Sequence, residues 1–257
     1  MQRAEPILIQ GLNKRFGRKQ VLSSVTLSVP RGVTTALLGR NGAGKTTLLR
    51  ILAGLLPRNG GAVSVAGIDP GKHSKRVKAV TGYVPDVPVF HPRWRVRDAV
   101  DLVMSARRNR WDSEEAKRLQ DVYGLAPSDR IQDLSKGARA KLSLLLALAH
   151  RPEVVLLDEP ASGLDPVSRK EVLGSLIDIM EREGTAILIS THRLDDVERL
   201  AERVAFLKDG EIVVEGVTEE LRAGRGVPEA SLEHPGLAEL YTALLDSERQ
   251  EVPSCVA

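Results

Sequence analysis

Nine consecutive residues, Gly39-Arg40-Asn41-Gly42-Ala43-Gly44-Lys45-Thr46-Thr47, restrict what this chain can fold into more than any other feature. They complete the pattern G-x-x-x-x-G-K-[ST] and lie between an apolar run, VTTALLG, and a helical one, KTTLLRILAG. In that context a loop turns successive backbone N–H groups toward an anion, and Gly39, Gly42 and Gly44 leave room for its close approach. The helix from Lys45 onward aims the positive end of its dipole at the same charge. Lys45 adds a full positive charge, and Thr46 offers a hydroxyl suited to Mg²⁺. The whole run, with Arg40, Asn41, Ala43 and Thr47, is expected to line a phosphate site.

Average composition yields this pattern by chance in roughly one chain in a hundred of this length, so a second element has to support it. EVVLLDEP, residues 153–160, supplies it. A near-continuous apolar run of this kind is a strand in the middle of a parallel sheet. Asp158 ends the strand where it can hold the water shell of a magnesium ion, and Glu159 can orient and deprotonate an attacking water. Strands and helices alternate around both motifs, which demands parallel strands with right-handed crossovers and places ligands beyond the strands' carboxyl ends. The expected fold is therefore α/β: a P-loop NTPase (RecA-like) core with flanking antiparallel β-strands and an inserted α-helical subdomain.

The organisation along the chain fits that plan. ILI and QVLSSVTLSV read as strands, AVSVAG as another, and TAILIS as a buried one. Asp165-Pro166 reads as an N-cap followed by proline at the first helical position, and Val172, Leu173, Leu176, Ile177 and Met180 share one face of the helix it starts, with Gly184 at its end. LDDVERLAE is a helix, and RVAFLKDGEIVVEG a hairpin turning at Asp209-Gly210. Residues 92–150 are Ala-, Leu- and Arg-rich with helical spacing. One domain is expected over 1–225, its core at 1–90 and 151–225 and its helical subdomain at about 91–150, with 226–257 as a short helical tail.

Bulk properties exclude more than they assign. The single cysteine, Cys255, allows no internal disulfide and fits a reducing compartment. The strongest apolar run, LSLLLALA, falls far below the roughly 20 residues needed to cross a bilayer, and no signal-peptide core follows Met1. A cytoplasmic protein is expected, with any membrane role peripheral. Ten Lys/Arg against three acids between Lys72 and Arg110 form a basic stretch of the kind that is usually solvated surface. No nucleic-acid partner is expected.

The motif order GRNGAGKTT, TGYVPD, LSKGARAK, VVLLDEP, SGLD and STH resembles the ATP-binding cassette family, the nucleotide-binding subunits of ABC transporters, from Ile7 to Gly216. The resemblance implies ATP and Mg²⁺ as cofactors and a head-to-tail dimer with a second ABC ATPase subunit, identical or not. Each ATP would lie between one subunit's phosphate loop and the other's signature, here Ser135-Lys136-Gly137. It implies Glu159, His192 and Lys45 as catalytic residues and Phe16 as the aromatic ring on adenine. Asp165, with Ser162 and Gly163, would lie in the loop joining the two ATP sites. No Asn-Lys-x-Asp follows the phosphate loop, which favours ATP over GTP. The implied function is to drive a separate transmembrane permease from the cytoplasmic face, and the branch resembled most is multidrug and antibiotic export. The alternative is a soluble cassette ATPase acting on ribosomes or nucleic acid.

Two positions depart from the family's pattern. Lys136 replaces a glycine, and two readings of it stay open: added positive charge near the partner's nucleotide, or a side chain that points to solvent. Asp86 replaces the usual metal-ligating glutamine after GYVP. Two readings of it stay open: a carboxylate ligand of Mg²⁺ beside Thr46 and Asp158, or a residue turned away that caps the segment DVPVFHP.

Overall fold

The computed structural model describes residues 5–107, 110–180, 184–223 and 237–246. The side chain of Met180, the boundary expected at 225 and Cys255 lie outside the described residues.

Ten residues, Ile7–Phe16, form β1 and pair antiparallel with β2 (Lys19–Val29) and β4 (Gly60–Val65), giving a three-stranded sheet in the order β2-β1-β4. The sequence showed only the first three residues of β1. Register shifts after Ile9 and the left-handed Gly11 (φ 59°) interrupt the period-two alternation that would have extended it to Phe16.

A second sheet carries the functional motifs. Its order is β5-β6-β7-β3-β8-β9, from β3 (Thr34–Leu38), β5 (Thr81–Val84), β6 (Val154–Asp158), β7 (Ala186–Thr191), β8 (Arg203–Lys208) and β9 (Glu211–Val217). The first five strands in this order are mutually parallel, and β9 returns antiparallel through Asp209 (φ 48°) and Gly210 (φ 84°). Positive φ at both turn positions is what a two-residue hairpin with matching twist requires. All residues of β3, β6 and β7 are buried, as continuous apolar runs in a covered parallel sheet must be.

Alternation of side chains divides the interior into two cores. Leu37, Leu156 and Leu188 face α1 (Lys45–Leu52) and the antiparallel sheet. Leu38, Leu157 and Ile189 face the opposite side, under α5 (Lys136–Leu148), α6 (Pro166–Met180) and α7 (Leu194–Leu200). Short helices α2 (Ser74–Val80) and α8 (Thr218–Arg222) lie at the edges. The inserted helices α3 (Val96–Arg107) and α4 (Ser113–Tyr123) bury Val96, Ala99, Leu119 and Tyr123 in the second core, continuous with Leu144 and Leu145 of α5 and Val155 of the sheet. The insertion is thus mechanically joined to the strands that carry the motifs. Helix α9 (Leu237–Asp246) buries Leu237 and Leu240 in the same core.

Gly82 is the closest point of that joint. A Cβ there would lie 2.4 Å from the carbonyl oxygen of Ala147, so the end of α5 rests directly on the backbone of β5. Gly82→Ala should force the two apart at a cost of about 1–3 kcal/mol, lowering Tm by roughly 2–10 °C in a thermal melt. An unchanged melt would mean that α5 can shift away from the sheet freely.

Candidate functional site

The carboxyl ends of β3, β6 and β7 lie side by side, and each delivers one part of the site. Leu38 leads into the glycine loop, Asp158 ends β6, and Thr191 precedes His192. Gly39 has no room for a side chain, since a Cβ would lie 2.3 Å from the carbonyl oxygen of Leu207 on β8. Gly44 (φ 109°) is equally confined, with Leu22 at 2.7 Å and the Val21 carbonyl at 2.9 Å from a Cβ. At Gly42 (φ 88°) an added Cβ meets nothing within 4 Å. The protein's own packing therefore demands the outer two glycines, and backbone conformation the middle one.

Lys45 is buried, and its ammonium donates to the carbonyl oxygens of Gly39 (2.7 Å) and Arg40 (3.1 Å), closing the loop on itself. It also lies 3.2 Å from Glu159 Oε1. Directed donation to the carbonyls leaves that buried carboxylate oxygen without an aligned hydrogen bond, despite the short ionic distance. Glu159 stands in the left-handed region (φ 49°), a conformation that costs a non-glycine residue about 1–2 kcal/mol. Its N–H is held by the carbonyl (3.2 Å) and hydroxyl (3.1 Å) of Ser190. The strain turns the side chain into the cleft, where Oε2 meets His192 Nδ1 at 2.8 Å.

Asp158 is almost fully buried and forms no ion pair among the described residues. Its oxygens instead accept from the hydroxyls of Thr46 (2.9 Å), Ser190 (2.9 Å) and Tyr83 (3.4 Å). Ser190 is the register partner of Asp158 across the β6–β7 ladder. Neither Ser190 nor Tyr83 was anticipated. The available signal was a hydroxyl at the carboxyl end of a buried strand, where nothing apolar explains it.

Lys45, Thr46, Thr47, Asn41, Gly42, Gly44, Asp86 and Glu159 line one cleft of about 220 Å³. Asp86 thus borders the same cleft as the phosphate loop, exposed to solvent. Burial first, then the fields of Asp158 and Glu159, hold its carboxyl above the usual range, while Lys136 and His192 act the other way. Arg40 and Ala43, with Gly39, Asn41 and Gly42, border a neighbouring cleft of about 290 Å³ closed by Phe206, Val213 and Tyr241.

The signature residues do not line either cleft. Ser135 is the N-cap of α5, its Oγ accepting from the Ala138 N–H at 3.1 Å. Gly137 is required by packing, because a Cβ would lie 2.7 Å from Ser168 of α6. Lys136 is exposed, and its ammonium donates to the Gly163 carbonyl of the same chain at 3.0 Å. Asp165 caps α6, accepting from the N–H groups of Val167 and Ser168 at 3.0 Å each. Phe16 is half exposed at the end of β1, with the Lys14 ammonium 4.7 Å from its ring centroid.

Comparison with known proteins adds independent findings. The family described as ABC transporter matches residues 22–162. The ABC transporter ATP-binding protein YdbJ of Bacillus subtilis, itself uncharacterized, is 36% identical over 82% of this chain and 70% of its own. Daunorubicin resistance ATP-binding protein DrrA3 of Streptomyces coeruleorubidus is 34% identical over 86% of this chain and 71% of its own. The solved structure of an ATP-binding subunit of an ABC transporter superposes with a TM-score of 0.81, at 27% identity, over 93% of this chain and 99% of that one.

The three converging carboxylates set a pH dependence. A carboxyl whose folded pKa is raised contributes stability that is fully present below its unfolded pKa and is lost as pH rises through the folded one. Asp86→Asn removes that loss. Without nucleotide or metal, the variant should melt about 2 °C above the parent near neutral pH at low salt, a small gain because Asp86 is solvent-exposed. At about pH 3 the two should coincide. Equal melts at both values would mean that the carboxylates do not repel.

Proposed function

The chain belongs to the ABC transporter family, and on that premise we propose that it is the ATP-binding and ATP-hydrolysing subunit of a transporter whose membrane-spanning part is a separate chain. One observation carries the chemistry: a buried carboxylate, Glu159, is held between Lys45 and His192 beside a glycine loop, with one oxygen lacking a directed donor. That oxygen, Oε1, is the atom we assign to accept a proton from the water that attacks the terminal phosphate. His192 fixes Oε2 and so the direction in which Oε1 points. Loop N–H groups and Lys45 would bind the phosphates, Phe16 would stack on adenine, and the helix dipole of α1 would favour the anion.

Thr46, Asp158 and Asp86 are the residues that would hold Mg²⁺. Two carboxylates and a hydroxyl are the hard oxygen donors that ion prefers. Among the described residues no three His, Cys, Asp or Glu side chains form a protein-only metal cage. That fits an ion that takes most of its ligands from water and substrate phosphate. When bound, the ion supplies charge neutralisation at the phosphate oxygens.

The capped helix start at Ser135-Lys136-Gly137 lines neither of the chain's own two clefts, which supports a head-to-tail dimer in which each signature closes the other subunit's site. Release of Lys136 from Gly163 would accompany that closure. The family supports a membrane permease as further partner and the cytoplasmic face as location, and no helix among the described residues is long and apolar enough to cross a membrane. The similarity to a daunorubicin resistance protein supports export. The boundaries 1–225 and 226–257 stand as part of the same reading.

Glu159→Gln should keep ATP binding while turnover falls by about 10²–10⁴, measured as steady-state phosphate release beside equilibrium nucleotide binding. Undiminished release would overturn the role of Glu159. For the metal, Asp86→Ala should require several-fold more Mg²⁺ for half-maximal ATPase activity and Asp86→Gln less of an increase; Mg²⁺ curves identical to the parent's for both would remove Asp86 from the metal site.

A further inference from the structure

His192 is exposed enough, at 39% of its side chain, that little packing fixes its ring. Its direction must come from the backbone. The backbone is held from an unexpected side. The Tyr241 hydroxyl, from α9, donates to the main-chain carbonyl oxygen of His192 at 3.0 Å. The tyrosine ring lies against Phe206 with centroids 6.1 Å apart and planes at 46°. Phe206 is the register partner of Leu38, and Leu38 pairs on its other side with Thr191. One row across three strands therefore holds the residue before the phosphate loop, the residue before His192, and the ring under Tyr241. Leu237 and Leu240 anchor α9 in the core below, so the tyrosine is delivered by a packed helix. Burial and the field of Glu159 push the Tyr241 hydroxyl up, so it remains a donor at neutral pH.

We propose that Tyr241 is a positioning residue for His192, and that through it the C-terminal helix forms part of the hydrolytic site. Holding the carbonyl restricts rotation of the peptide plane after His192, and with it the path of the ring toward Glu159. The proposal rests on the ATPase reading above only for its catalytic consequence; the positioning itself is a property of the folded chain.

The test uses the full chain with Tyr241→Phe, which keeps the ring on Phe206 and removes the donor. ATPase kcat should fall about fivefold with KM for ATP unchanged, and Tm should fall by no more than about 4 °C, the loss expected for one net hydrogen bond. In side-chain NMR the His192 ring signals should move while those of His73, His91 and His150 stay. Combined with His192→Ala, the Tyr241→Phe change should cost nothing more, because the tyrosine acts through that ring. Unmoved His192 signals together with an unchanged kcat would overturn the proposal, and so would the same fivefold loss on top of His192→Ala. A parent chain with no ATPase activity at all would instead sink the ATPase reading, and the NMR arm would still decide whether Tyr241 positions His192.

Discussion

The site depends on a buried carboxylate that is met by hydroxyls and, among the described residues, by no ion pair. Asp158 lies at the end of the central strand β6, and hydroxyls from three other elements converge on it: Thr46 of α1, Ser190 of β7 and Tyr83 of β5. A buried charge without partners is costly, and one met only by neutral donors is satisfied but not neutralised. The arrangement therefore ties the phosphate loop's helix to both neighbours of β6 and leaves unneutralised negative charge at the point where the loop ends. It also explains the strain next door. Ser190, oriented by Asp158, is the residue that pins the Glu159 N–H and so supports its left-handed backbone. Remove Asp158 and both the helix start and the candidate base lose their reference.

Much of this was legible in the residues. VVLLDEP reads as a covered central strand because both faces must be apolar, and β6 is such a strand. Asp165-Pro166 reads as a helix start because proline needs no N–H there, and Asp165 caps α6. What was hidden was hidden for physical reasons. The glycine loop reads as accommodation for a ligand, yet Gly39 and Gly44 are forced by the strand and loop behind them, a tertiary contact that no local pattern encodes. Tyr241 lies about fifty residues beyond His192 in a helix whose apolar spacing signals only core. Its hydroxyl acquires a role solely because α9 packs where β7 ends.

The two departures from the family pattern belong to one neighbourhood. Asp86 brings a negative charge to the cleft, and Lys136 is among the charges that favour its ionised form. Lys136 is itself exposed, and its ammonium donates to the Gly163 carbonyl, on the loop that follows Glu159. Gly163 itself (φ 59°) holds a backbone conformation that favours glycine, and a Cβ there would displace the Lys136 ammonium from its carbonyl. One lysine thus ties the loop before α5 to the loop after β6, and its field reaches Asp86 in the loop after β5.

Charge arithmetic then constrains the order of events in the cleft. Asp86, Asp158 and Glu159 converge, and among the residues lining the cleft that holds Asp86 and Glu159 the only cationic side chain is Lys45, whose protons are aimed at the loop's own carbonyls. A polyphosphate arriving alone would meet net repulsion from these carboxylates at short range, where screening is weakest. A polyphosphate arriving with a divalent cation would meet two carboxylates and a hydroxyl suited to the metal and loop N–H groups suited to the phosphates. An aspartate in place of a neutral glutamine strengthens both the penalty without metal and the attraction with it. On the proposed reading, Asp86 would therefore favour the metal-bound form of a nucleotide over the free one.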